Sequence, residues 1–135
     1  MGSPFTPSNY TVLVVDSDPQ VCADLTALLE RVGYHTRTYG SGEALLQSIK
    51  AIPEPACVIA EVELPGMTGL ELVSRLRQNN VAAPIMILTR LGDVAVAVRA
   101  MRDRVADYLT KPYVERDLVM RLQNALLRGA EAPAH

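Results

Sequence analysis

The amino-acid sequence predicts an α/β fold: a (βα)5 doubly wound parallel sheet of five strands with helices on both faces. Three observations carry this. Five short apolar or β-branched runs alternate with five stretches whose apolar residues recur at helical spacing. Several of the runs, TVLVV at 11–15, ACVIA at 56–60 and PIMIL at 84–88, are continuously apolar, as strands covered on both faces are. At 135 residues, the chain fits one domain that buries roughly two thirds of its unfolded surface without needing a disulfide or metal.

The elements follow in order. After the first strand, Asp18 reads as an N-cap and Pro19 as the first helical residue, with Val21, Leu25, Leu28, Leu29 and Val32 as the apolar stripe and Gly33 as the stop. His35 to Tyr39 is β-branched and polar, which predicts an edge strand. Ser41 caps a short second helix through about Lys50, with Ala44, Leu45 and Ile49 inward. Pro53 and Pro55 precede the third strand, and the loop Glu61 to Thr68 follows it. Thr68 and Glu71 form a T-x-x-E capping box for a helix carrying Leu70, Val73 and Leu76. After the fourth strand, Asp93 is expected to cap a helix to about Arg102, and Ala106 to Thr110 reads as the fifth strand. The last helix is expected from about Val114 to Arg128, with Leu118, Leu122 and Leu126 inward and Gly129 closing it. These bounds divide the chain into an N-terminal extension (1–10), one domain (11–128) and a tail or the start of a linker (129–135).

Composition removes several function classes. Thirteen basic against fifteen acidic residues give a net charge of −2, which argues against direct nucleic-acid binding by this segment. Trp is absent and aromatics are 4%, so base-stacking platforms are not expected. No apolar run reaches the length of a membrane span. Cys22 and Cys57 lie inside apolar-periodic segments without a CxxC, the pattern of reduced thiols in a cytoplasmic protein. His35 and His135 have no partners at ligand spacing, so zinc is not expected.

In sheets of this kind function sits outside the carboxyl ends of the strands. That rule selects Asp16, Ser17 and Asp18 after strand one, Glu61 after strand three, Thr89 after strand four and Lys111 after strand five. Carboxylates there suit a hard cation, while a lysine and a threonine suit an oxyanion. Together they are the parts that form, hold and sense an acyl phosphate on a carboxylate. Solvated strand ends carry the same residue types, and spacing alone leaves both readings open.

VLVVDSDP at 12–19, VELPGMTGLEL at 62–72, ILTRLGD at 87–93 and YLTKPY at 108–113 preserve the order and spacing of a known family. The chain resembles the receiver domains of two-component response regulators over residues 11 to 127, most closely those that precede helix-turn-helix DNA-binding domains. The resemblance implies the flavodoxin-like strand order 2-1-3-4-5, no enzymatic role, and function in phosphorelay signalling. It also implies switch and phosphate-sensing positions at Thr89, Tyr108, Lys111 and Pro112, and a cis Lys111-Pro112 peptide.

Two departures from the family pattern bear on activity. The acidic pair at the end of strand one reads Asp16-Ser17, so one acid is lost, and Asp18 is more readily a helix cap than its replacement. The phosphoacceptor position holds Glu61, whose extra methylene moves the carboxylate outward by roughly 1.5 Å. Displacements of about 1 Å cost on the order of a hundredfold in a positioned reaction. The expectation is a receiver that regulates through protein contacts without normal aspartate phosphorylation. Glu61 then either imitates part of the phosphorylated state or forms a plain ion pair with Lys111. No cofactor is required; magnesium, held by Asp16, Glu61 and the Glu63 backbone carbonyl, is expected to bind weakly. Arg90, where the family has a small residue, is a candidate for the pocket's positive charge.

The expected partners are a sensor kinase, an output domain or a downstream regulator, and no membrane. Val94, Val96 and Val98 spread apolar surface around the fourth helix, and charges of both signs follow in Arg99, Arg102, Arg104, Arg116 and Arg121 and in Asp103, Asp107, Glu115 and Asp117. Similar domains form homodimers through the helix 4–strand 5–helix 5 face. Two alternatives accompany this reading: the regulatory part of a DNA-binding transcriptional regulator that continues past residue 135, or a receiver phosphorylated at a non-standard residue.

Overall fold

The computed structural model describes residues 5–90 and 94–131. The elements are β1 (Thr11–Val15), α1 (Pro19–Val32), β2 (His35–Tyr39), α2 (Gly42–Gln47), β3 (Ala56–Glu61), α3 (Gly69–Gln78), β4 (Ile85–Thr89), α4 (Val94–Arg102), β5 (Asp107–Thr110) and α5 (Glu115–Glu131). Short 3-10 turns occupy Pro7–Asn9 and Ile49–Ala51. The strands form one parallel sheet in the order β2-β1-β3-β4-β5, the doubly wound arrangement that the sequence predicts.

The pleat divides the core into two clusters. Val12, Val14, Cys57, Ile59, Met86 and Leu88 face α1 and α5, where Leu25, Leu29, Leu118 and Leu122 meet them. Leu13, Val15, Val58, Ala60, Ile85 and Ile87 face the side covered by Leu45, Leu72, Leu76 and Ala100 from α2, α3 and α4. Burial on both faces is why β1, β3 and β4 read as unbroken apolar runs. Edge strand β2 keeps its polar residues because its side chains are mostly exposed. Phe5 stacks on Tyr10 with ring centroids 5.1 Å apart, closing the lower end of the α1–α5 side.

The helix caps lie where the sequence places them. Asp18 accepts from Gln20 N–H, Ser41 from Ala44 N–H and Thr68 from Glu71 N–H. The Asp93 cap falls outside the described residues.

Several boundaries differ from expectation: β4 runs Ile85–Thr89 rather than 84–88, β5 begins at Asp107 rather than Ala106, and three others have a clear cause. The second helix ends at Gln47 rather than Lys50, because the chain tightens into a 3-10 turn and Ile52 turns extended before Pro53. Glu61 belongs to β3 rather than to the following loop, pairing opposite Leu88. Gly129 does not close the last helix, which continues to Glu131. A Cβ at Gly129 would approach Pro84 Cγ to 3.0 Å, so the glycine serves close approach of α5 to the start of β4.

Candidate functional site

The carboxyl ends of β1, β3, β4 and β5 converge because parallel strands in register end together. They carry Asp16, Glu61, Thr89 and Lys111. The first three are the buried polar residues among the described ones, at 6%, 5% and 0% exposure. Lys111 Nζ lies 3.0 Å from Asp16 Oδ2 and 2.7 Å from Glu61 Oε2, so one ammonium bridges two carboxylates. The remaining carboxylate oxygens take backbone donors: Asp16 Oδ1 accepts from Asp18 N–H at 2.9 Å, and Glu61 Oε1 from Glu63 N–H at 3.3 Å.

The two bonds to Lys111 are unequal in kind. The Asp16 contact is a well-directed hydrogen bond, whereas the shorter Glu61 contact is an ion pair outside hydrogen-bond direction. Glu61 Oε2 therefore sits buried with no hydrogen-bond donor aimed at it. Burial alone pushes the Lys111 ammonium down, but the close negative charges of Glu61 and Asp16, together with the Asp16 hydrogen bond, outweigh it and hold it above the ordinary lysine value.

Other predicted site residues take different positions. Ser17 is exposed and Asp18, half-buried, caps α1. Thr89 is fully buried, and its carbonyl accepts from Lys111 N–H at 2.7 Å. Tyr108 is half-buried and packs against the cluster under α2–α4. Lys111-Pro112 is cis. Arg90 does not supply the pocket charge: it is exposed and, among the described residues, forms no ion pair. It lies in the bend just after β4, and Lys111 is the cation that bridges the two carboxylates.

Two contacts that support the site were not legible in the sequence. Glu43, in the first turn of α2, accepts from Met67 N–H at 3.1 Å and ties down the loop after β3. Gly69 opens α3 directly against the Glu61 carbonyl, leaving no room for a Cβ. The capping box located Gly69 at the helix start, but no local signal announced either contact.

The donor set does not fit a firmly held magnesium ion. Magnesium favours octahedral oxygen ligands with carboxylate charge. Here three of the four carboxylate oxygens already have hydrogen-bond donors, the fourth faces the ammonium, and the third acid of the family arrangement is Ser17. Among the described residues no three His, Cys, Asp or Glu side chains converge on a metal position. Lys111 already sets its positive charge against one oxygen of each carboxylate, where a cation's charge would otherwise act.

On the α4–β5–α5 side, part of the charge is engaged within the chain. Arg121 bonds Asp107 at 2.8 Å and Asp117 at 3.1 Å. On α4, Val96 packs inward, while Val98 and Met101 are half exposed; the Val94 side chain lies outside the described ones. Among the described residues no helix is long and apolar enough to cross a membrane.

Comparison with known proteins agrees with this architecture. The family model for the response regulator receiver domain matches residues 12–123. Nodulation protein W of Bradyrhizobium diazoefficiens is 35% identical over 109 residues, covering 80% of this chain and 47% of that protein. The transcriptional regulatory protein FixJ of the same organism is 32% identical over 123 residues, covering 91% of this chain and 59% of that one. The chain thus spans about half the length of these relatives. Among solved structures, FixJ-N superposes with a TM-score of 0.82 at 26% identity, covering 93% of this chain and 98% of that one. A putative response regulator from Chloroflexus aurantiacus gives 0.78 at 38% identity, covering 87% and 98%. Sheet order, strand-end residues and these matches together place the chain in the response regulator receiver domain family.

Proposed function

We propose that this receiver domain regulates through protein contacts and sets its output state without phosphorylation at residue 61. One observation carries the reading: Lys111 already bridges Glu61 and Asp16 at 2.7 and 3.0 Å. In an acyl-phosphate mechanism the acceptor carboxylate attacks phosphorus and a cation neutralises the phosphoryl oxygens. Here the acceptor is a buried glutamate held by an ammonium, and Ser17 offers no charge to recruit magnesium, which accordingly binds weakly if at all. The domain then works as a fixed cytoplasmic module whose surfaces engage a kinase, an output domain or a second copy. Relatives named as transcriptional or DNA-binding regulators support a place in the regulatory half of such a protein.

Intact mass after incubation with acetyl phosphate and magnesium tests this. The unmodified chain should gain no phosphoryl group, and the Glu61→Asp/Ser17→Asp variant should gain one. Phosphorylation of the unmodified chain that peptide mapping places on Glu61 would overturn the proposal. Failure of both would show that more than these two positions separates the pocket from one that accepts a phosphoryl group from acetyl phosphate, and would support the proposal for that donor.

A further inference from the structure

Charge is unevenly distributed along the chain. Residues 74–104 hold six arginines against two aspartates, a local balance of +4 in a chain of net −2. Three of these arginines, Arg77, Arg102 and Arg104, line a cleft of about 300 Å³ together with Ser74, Gln78 and Asp103. The cleft lies where α3 and α4 end, beside the starts of β4 and β5. It is therefore at the opposite end of the sheet from Asp16, Glu61 and Lys111.

Arg77 is immobilised there. Its Nη1 donates to Val81 O at 2.8 Å and Ala83 O at 2.9 Å, and its Nη2 to Arg104 O at 3.3 Å. A guanidinium has five N–H donors, so these bonds leave two, one on Nε and one on Nη2. That pair is the side-on fork that receives a carboxylate or phosphate. Among the described residues no acid occupies it: Arg77 has no ion pair, and Asp103, although part of the lining, pairs with no cation. Burial, with the neighbouring charge of Arg104 added to it, holds the Arg77 guanidinium below its usual value.

The helix ends do not account for this gathering. The last carbonyls of α3 accept from Asn79 and Val81 N–H, and those of α4 from Asp103, Arg104 and Val105 N–H. The Arg102 and Arg104 side chains donate to none of these carbonyls and are exposed beside Arg77. Arg104 also sits at φ +60, a position glycine usually fills at a helix end. A guanidinium stands where a residue without a side chain would be less strained.

The geometry points to an oxyanion site: the cleft binds a phosphomonoester or a comparable doubly charged oxyanion. Arg77 is its fixed donor, and Arg102 and Arg104 are its adjustable ones. The volume admits one phosphoryl group with a small carbon skeleton. Free phosphate and the phosphate of a mononucleotide share this chemistry.

NMR spectra of the ¹⁵N-labelled chain, recorded on backbone amides and arginine Nε–H groups, test the site. Inorganic phosphate, AMP and tetraglutamate are titrated against chloride at matched ionic strength, on the chain and on its Arg102→Gln/Arg104→Gln variant. Saturable shifts should appear at Arg77 Nε–H and at the Ser74, Gln78 and Asp103 amides with phosphate or AMP. Affinity should fall at least tenfold in the variant, whose exposed substitutions leave the melting temperature near that of the parent. A tighter response to AMP than to phosphate identifies a nucleotide source, and the reverse a free anion; either supports the site. An equal response to chloride, binding of tetraglutamate alone, shifts confined to Asp16, Thr89 and Lys111, or unchanged affinity in the variant would each overturn it. If the variant fails to fold, the shift map of the parent chain decides alone.

Discussion

Replacing Lys111 by Met isolates what its ammonium does. Asp16 Oδ2 and Glu61 Oε2 lie within 3.0 and 2.7 Å of one nitrogen, so they are at most about 5.7 Å apart. Methionine keeps the apolar stem and removes the charge, leaving two buried carboxylates facing each other. Their repulsion at that separation is about 3 kcal/mol at an effective dielectric constant of about 20. That figure sits at the lower end of the roughly 3–5 kcal/mol measured when one partner of a buried ion pair is deleted. For a chain of this length the melting temperature should fall by about 10 °C. Far-UV circular dichroism is the suitable probe, since the chain has no Trp. Adding Glu61→Gln to Lys111→Met should recover most of the loss, because it removes one of the opposed charges. The pH dependence has a defined sign. A lysine held above its ordinary value of 10.5 contributes stability that is complete below that value and lost as pH rises through the raised one. The gap between parent and variant should hold steady from pH 7 to about 10 and narrow above. A variant within about 1 kcal/mol of the parent at pH 7 would refute the reasoning that Lys111 neutralises two buried acids.

Two further predictions concern the support of the site and the core. Gly69→Ala would drive a Cβ into the Glu61 carbonyl, so the variant should lose about 1–3 kcal/mol in urea unfolding and shift the Glu61 amide resonance; an unperturbed Glu61 would show that the end of β3 does not rest on Gly69. Burial pushes the Cys57 thiol up to about 12 and burial also raises that of half-exposed Cys22. A thiol reagent at pH 8 should therefore leave Cys57 unmodified in the folded chain, label Cys22 slowly and label both in urea, as peptide mapping will read. Labelling of Cys57 in the folded chain would contradict its place between the sheet and the helices.

The strands were legible because β1, β3 and β4 are buried on both faces, so their patterns are unbroken and their lengths short. Helix starts were legible because Asp18, Ser41 and Thr68 cap through bonds two or three residues away. Helix ends were less so. Gly129 reads locally as a stop, and only the approach of Pro84 from far along the chain makes it an interior residue. The strand-end rule selected Asp16, Glu61, Thr89 and Lys111, since parallel register alone brings those ends together. It did not distinguish Lys111 from Arg90 as the cation, because that depends on which way a side chain turns at the mouth. Glu43 and Arg77 were missed for the same kind of reason. Their partners are loop amides and carbonyls, which carry no sequence signature.

The central claim is that the state of this receiver does not depend on phosphorylation at residue 61. Amide spectra of the unmodified chain, with and without acetyl phosphate and magnesium, test it most directly at Thr89, Tyr108 and Lys111. The account predicts that these three resonances stay in place while the same treatment moves them in the Glu61→Asp/Ser17→Asp variant. A new, fully populated set of resonances at Thr89 and Tyr108 in the unmodified chain would contradict it.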